Sequence, residues 1–176
     1  MIPVLRTERL TLRGPGIGDF EAVAAFLASD RARYIGGPLS RHLAWRSFSS
    51  IVGQWQLRGY GMWSVDETAT GAFVGIVGLY DPEGWIAPEI GWWAVVPAQE
   101  GRGFITEAAR AARRYAYEFA GWSEAFSVIA EGNKRSVRVA TRLGATLDHT
   151  EDLGERGVAL VYRHPSPAAL REEGSL

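Results

Sequence analysis

Two glycines one residue apart, in Gly101-Arg102-Gly103, are the first place where residue types and spacing suggest chemistry. They follow a strand-length apolar and aromatic run, EIGWWAVVP, which begins at Glu89 and is ended by Pro97. After them comes an apolar pattern at helical spacing: Phe104, Ala108, Ala112, Tyr115 and Phe119. Strand, glycine turn and helix together hold anions. Glycines let the main chain come close, and the free N–H groups of the first helical turn point at negative oxygens. A diphosphate is the usual guest. A dinucleotide fingerprint needs a third glycine where Thr106 stands, and the Gly-Lys-Ser/Thr of a Walker loop is absent.

Other chemistries find less support. The chain has no cysteine, which removes disulfides, thiolate metal sites and an acyl-cysteine intermediate, and no Gly-x-Ser-x-Gly elbow. Its three histidines are scattered without ligand spacing, so no metal is expected. A net charge of −1 gives no hint of nucleic acid or an anionic membrane as partner. Met1-Ile2-Pro3 does not begin a signal peptide and no apolar run is long enough for a bilayer, so the cytoplasm is the expected location.

The elements that must position the loop follow from patterning. With 176 residues, 47% of them hydrophobic and 22% charged, a single globular domain is expected over 1–176, with its core at 5–163 and a frayed polar tail at 164–176. Leu5 to Arg13 reads as a first strand. Phe20, Val23, Ala24 and Leu27 mark one helix face. A second helix, capped by Ser40, carries Ala44, Phe48, Ile51, Val52 and Trp55. Strands are expected at Met62 to Val65, Ala72 to Tyr80 and Ala125 to Ala130. A final antiparallel pair spans Ala145 to Glu151 and Val158 to Arg163. Gly75 and Gly78 mark close backbone approach or a bulge. Asn133 caps a short helix with an apolar face of Val137, Ala140 and Leu143, stopped by Gly144. Strands and helices mixed in this order give an α/β or α+β domain.

Glu100-Gly101-Arg102-Gly103-Phe104-Ile105 resembles motif A of the GNAT superfamily of N-acetyltransferases, Gln/Arg-x-x-Gly-x-Gly/Ala, with Glu100 in place of Gln/Arg and Ile105 in place of the small last residue. Asn133, Ser136, Leu143, Gly144 and Ala145 match a second GNAT pattern in order and spacing. The opening Thr-x-Arg-Leu-x-Leu-Arg resembles the ribosomal-protein N-terminal acetyltransferase branch. The resemblance implies the GNAT fold: a mixed, mostly antiparallel sheet splayed between its fourth and fifth strands and flanked by about four helices. It also implies acetyl transfer from acetyl-CoA to a primary amine by direct attack in a ternary complex. The acceptor would be a small-molecule amine or a protein N-terminus. A coenzyme A-binding module without catalysis is the alternative, a nucleotide-binding α/β domain is a further one, and a homodimer is permitted.

The resemblance also implies roles for residues. Main-chain N–H groups of Gly101, Arg102, Gly103, Phe104, Ile105 and Thr106 would hold the pyrophosphate, with the Ile105 side chain turned towards the sheet. Pantetheine would pair with the main chain of Ala94, Val95 and Val96. An N–H from Trp93 to Val95 would face the oxyanion. Asn133 and Ser136 would contact the cofactor. Ser136 would act as acid to the leaving sulfur or hydrogen-bond to it. Glu89 would be the base or an acceptor-recognition carboxylate; as base it acts through water, because it lies roughly 13–17 Å back along the strand. Arg102, Arg110, Arg113, Arg114, Arg135 and Arg138 are candidates for the 3′-phosphate. Tyr34, His42 and Trp45 are candidates to touch the acceptor.

Overall fold

The computed structural model describes residues 1–172 and 174. Eight strands form one sheet in the order β1-β2-β3-β4-β5-β6-β8-β7. They are β1 (Leu5–Arg6), β2 (Leu10–Arg13), β3 (Met62–Glu67), β4 (Phe73–Tyr80), β5 (Glu89–Trp93), β6 (Phe126–Ala130), β7 (Thr146–Asp152) and β8 (Val158–Arg163). Every neighbouring pair is antiparallel except β5 with β6, which share a single register pair, Glu89 with Phe126. The α-helices among the described residues are α1 (Phe20–Leu27), α2 (Arg41–Arg58), α3 (Phe104–Glu118), α4 (Lys134–Arg142) and α5 (Pro167–Glu172).

Helix α3 packs close to the sheet because its inner face is nearly all alanine. Ala108, Ala109, Ala112 and Ala116 are fully buried behind Phe104. They face Trp63, Val65, Val77 and Ile90 in one core. A second core lies under α1 and α2, around Phe20, Leu27, Phe48 and Ile76. The central strand is thus pressed from both sides.

Two expectations change. The first strand, read as continuous over residues 5–13, is a hairpin in which Leu5 pairs with Leu12. Thr7 makes the reversal: its Oγ1 accepts the Leu10 N–H at 3.0 Å and donates to Glu107 Oε1 at 2.6 Å. The hairpin adds one to the strand count, so the opening expected between the fourth and fifth strands, those at Glu89 and Ala125, keeps its place and separates β5 from β6. The tail expected to fray is ordered through Glu172. Leu170 of α5 is buried, His164 is buried, and the Tyr117 hydroxyl donates to Pro165 O at 2.9 Å. Residues 173, 175 and 176 of that tail lie outside the described residues. No helix among the described residues is long and apolar enough to cross a membrane.

Candidate active site

The site begins where β5 and β6 part. Phe126 N–H still bonds Pro88 O at 2.9 Å, and Ser127 Oγ donates to Ile90 O at 2.7 Å. Ser127 is held from behind. Buried Arg113 donates to Leu143 O at 2.5 Å and lies 3.3 Å from His164 Nδ1, while His164 Nε2 lies 3.0 Å from Ser127 Oγ. Arginine cannot accept, so Nδ1 is the acceptor and Nε2 carries the proton. The donors thus run in one direction, from Arg113 through His164 and Ser127 to Ile90. Burial and the Arg113 charge push the His164 imidazole down to about 3. This chain pins the strands at Ile90, and beyond that residue they separate.

Past the pin the central strand bulges. Ile76 pairs with Trp93, but Val74 O accepts from Val96 N–H at 3.2 Å, so three steps of the central chain face two of β4. The extra residue fits because Gly75 lies opposite: a Cβ there would be 2.1 Å from Trp93 O. Arg31, from the turn Asp30–Ile35 after α1, then takes two successive carbonyls, Ala94 O at 2.6 Å and Val95 O at 2.7 Å. Its guanidinium also meets Glu100 Oε1 at 2.5 Å, and Arg135 meets the other oxygen at 2.7 Å. The acidic residue at the head of the glycine loop is therefore paired with two arginines. With the Ala94 and Val95 carbonyls and the Val96 N–H taken, the added-strand pairing expected of these residues is reduced to the N–H groups of Ala94 and Val95.

The glycine loop has the expected conformation. Gly101 and Gly103 have φ of +76° and +81°, in the left-handed region. The first bond of α3 is Glu107 N–H to Gly103 O at 3.1 Å, and no side chain caps the helix, so the N–H groups of Phe104, Ile105 and Thr106 have no helical acceptor. Ile105 packs against the core, as its size requires. Together with α4 the loop walls a cleft of about 880 Å³. Trp93, Ala94, Val96, Gly101, Gly103, Phe104, Ile105, Thr106, Asn133 and Ser136 all line it. Val95 is buried instead, and the Arg102 side chain is turned away to Glu67 and Gln99. Of the arginines expected near a 3′-phosphate, Arg135 and Arg138 reach the cleft, joined by Lys134 and Arg142; Arg110 and Arg114 do not line it, and Arg113 belongs to the buried pin.

A second cleft, of about 490 Å³, opens on the other side of the gap. Tyr34, Trp92, Trp93, Asn133 and Ser136 line both, so the two meet there. Asn133 Oδ1 caps α4 by accepting the Ser136 N–H at 3.2 Å, and Ser136 Oγ accepts the Trp92 indole N–H at 3.1 Å. Glu89 faces the second cleft. Its carboxyl leans forward along the strand: a Cβ on Gly91 would lie 3.4 Å from Glu89 Oε1. The lean shortens the gap to the bulge. Burial pushes the Glu89 carboxyl up to about 7, against hydrogen bonds from Trp85 and the Val128 main chain that favour the charged form. Of the expected acceptor contacts, Tyr34 lines this cleft. His42 and exposed Trp45 do not; Trp45 packs edge-on against Phe20 at 5.0 Å. Arg31, Trp85 and Arg156 were not singled out from the sequence. Trp85 donates to Glu89 Oε2 at 2.8 Å, and Arg156 lies over its ring.

Comparison with known proteins agrees with this geometry. The family profile described as an Acetyltransferase (GNAT) domain matches residues 9–146. The chain is 30% identical over 110 residues to the uncharacterized protein YkkB of Bacillus subtilis (strain 168), a match spanning 60% of this chain and 63% of that one. The crystal structure of an acetyltransferase from Agrobacterium tumefaciens str. C58 superposes with a TM-score of 0.85 at 36% identity, covering 94% of this chain and 96% of that one. RimL, a ribosomal L7/L12 alpha-N-protein acetyltransferase solved with coenzyme A, shares the fold at 18% identity and a TM-score of 0.75, over 94% of this chain and 99% of that one.

Proposed function

The chain belongs to the GNAT acetyltransferase family, and from that premise we propose that it transfers an acetyl group from acetyl-CoA to a primary amine by direct attack. One observation carries the reading: the cleft under the glycine loop and the cleft facing Glu89 meet at Trp92 and Ser136, where the sheet opens. A thioester reaching through from the loop side meets an amine held on the Glu89 side. Acetyl-CoA supplies the activated acetyl group, and the chain supplies position and charge.

Phosphates dock on the N–H groups of the first turn of α3, with Arg135, Arg138 and Lys134 near. Arg31 fixes the bulge through its carbonyls, which leaves the Ala94 and Val95 N–H groups for the oxyanion. Glu89, with its carboxyl at about 7, is balanced between its forms at neutral pH and takes the ammonium proton through water. Ser136 already accepts from Trp92, so its own hydroxyl proton is free for the departing sulfur.

Isothermal titration with acetyl-CoA, with ADP and NAD as controls, tests the reading. Micromolar acetyl-CoA binding with silent controls supports it, and thiol release in the presence of an amine completes it. Binding without any release would favour a non-catalytic coenzyme A module, and no binding would sink both.

A further inference from the structure

Trp85 holds two opposite charges at once. Its Nε1–H donates to Glu89 Oε2 at 2.8 Å, and the Arg156 guanidinium lies 4.9 Å from its ring centroid. A carboxylate on β5 and a guanidinium on the tip of the β7–β8 hairpin are thereby held by one indole, the first at its edge and the second over its face, and both line the second cleft. On the opposite wall Arg33 lies 4.5 Å from the Tyr34 ring centroid, but its guanidinium already donates to Asp30 O at 3.1 Å and to the Tyr34 hydroxyl at 3.4 Å. Among the described residues neither Arg33 nor Arg156 is ion-paired, whereas Arg31, Arg102 and Arg135 around the glycine loop all are. Glu155, on the same turn as Arg156, forms no ion pair among the described residues.

A guanidinium flattened on a ring keeps its edge N–H fork free and oriented for a planar carboxylate. A polyamine would set further cations against both arginines, and a neutral amine would leave the Arg156 fork without an anion. On the acetyl-transfer reading, we propose that the acceptor is a small amine that also carries a carboxylate, an α-amino acid or a close analogue, with its amine towards Glu89 and its carboxylate on Arg156. The spacing suits that class. An α-amino acid places its nitrogen and carboxylate two bonds from each other, so both groups reach one wall of the cleft, the carboxylate on Arg156 and the amine on the water that leads to Glu89. Tyr80, Trp92 and Trp93 leave room for an apolar or aromatic side chain.

The test is initial rates of thiol release from acetyl-CoA with free amino acids, their carboxamides and spermidine. The free acids are expected to exceed their own carboxamides in kcat/KM by about tenfold or more, from the charge-assisted bonds lost, and spermidine is expected to stay unmodified. Arg156→Gln should bring each acid down to within about twofold of its carboxamide while the KM for acetyl-CoA holds. Arg156→Lys, which keeps the charge without the fork, should fall between. Carboxamides equal to the acids, or a preference for spermidine or a peptide amine, overturns the amino-acid proposal and leaves acetyl transfer standing. Acetyl-CoA bound with no amine turned over overturns both.

Discussion

The two clefts that meet at Trp92 are built from different materials. On the acetyl-transfer reading the working groups on the loop side are main-chain N–H groups, held by two left-handed glycines and by a bulge that exists because Gly75 has no side chain. On the acceptor side they are side chains: Tyr34 after α1, Tyr80 on β4, Trp85 in a loop, Glu89 on β5 and Arg156 on the last hairpin. Main-chain binding uses what every residue has, so it constrains only where glycine must stand. Side-chain binding can be rewritten one position at a time without disturbing the cofactor. One half of the site is fixed by backbone shape, and the other, the proposed acceptor side, is open to change one side chain at a time.

Substitutions test that division, beginning with the largest effect. Gly103→Val costs about 1–2 kcal/mol of backbone strain at a φ of +81° and crowds the open face of the loop. Nothing lies nearer the new Cβ than Arg9 Nη2 at 3.5 Å, so the variant should still fold. Acetyl-CoA affinity by titration should fall by about 100-fold or more, whereas Thr106→Ala, which keeps its N–H, should stay within about twofold. Equal sensitivity of the two positions would break the comparison.

Glu89→Gln addresses the other half. Turnover should drop by about 100-fold with acetyl-CoA affinity nearly unchanged. In the parent, kcat/KM should rise with pH through about 7, because only the ionised carboxyl accepts a proton. The glutamine variant should lack that inflection, and a variant as fast as the parent at every pH would remove Glu89 as base.

Arg31→Ala probes the join. It strips the donor from the carbonyls of Ala94 and Val95 and one partner from Glu100. A loss of about tenfold or more in kcat/KM for acetyl-CoA is expected. Arg31→Lys should recover only part, since one ammonium cannot reproduce the fork. Unchanged kinetics would mean that the bulge stands without it.

The smallest effect lies beneath both clefts. His164 has its pKa lowered from 6.5 to about 3 in the fold, so the unfolded chain binds the extra proton first. Its contribution to stability is complete above pH 6.5 and is lost as the pH falls towards 3. The melting temperature should decline across that window, and His164→Asn should flatten the decline; an identical slope in the variant would show that other groups govern it.

The legibility of the chain follows the same division. The glycine loop, the Asn133 cap and the helix behind them were readable because a contiguous run of backbone must adopt one shape, and glycine, asparagine and proline mark such shapes. Arg31 was not readable. It sits between Asp30 and Ala32 like any surface arginine, and its partners are more than sixty positions away. Trp85 lay in a stretch that reads only as a loop, and its importance comes from folding back onto Glu89. The hairpin at Thr7 was hidden because the polar run Arg6-Thr7-Glu8-Arg9 holds no glycine or proline to mark a turn, and the terminal helix because one buried leucine, Leu170, outweighs a polar composition.

Two of the seven tryptophans donate their indole N–H to the two side chains proposed for the chemistry, Trp85 to Glu89 and Trp92 to Ser136. Indole emission responds to charge and hydrogen bonding at the ring, so the protein carries its own pair of optical reporters. Trp85 senses the acceptor cleft and the ionisation of the carboxyl it touches. Trp92 senses the point where the two clefts join. With each left as the sole emitter in turn, the order in which the clefts fill becomes visible in real time without a label.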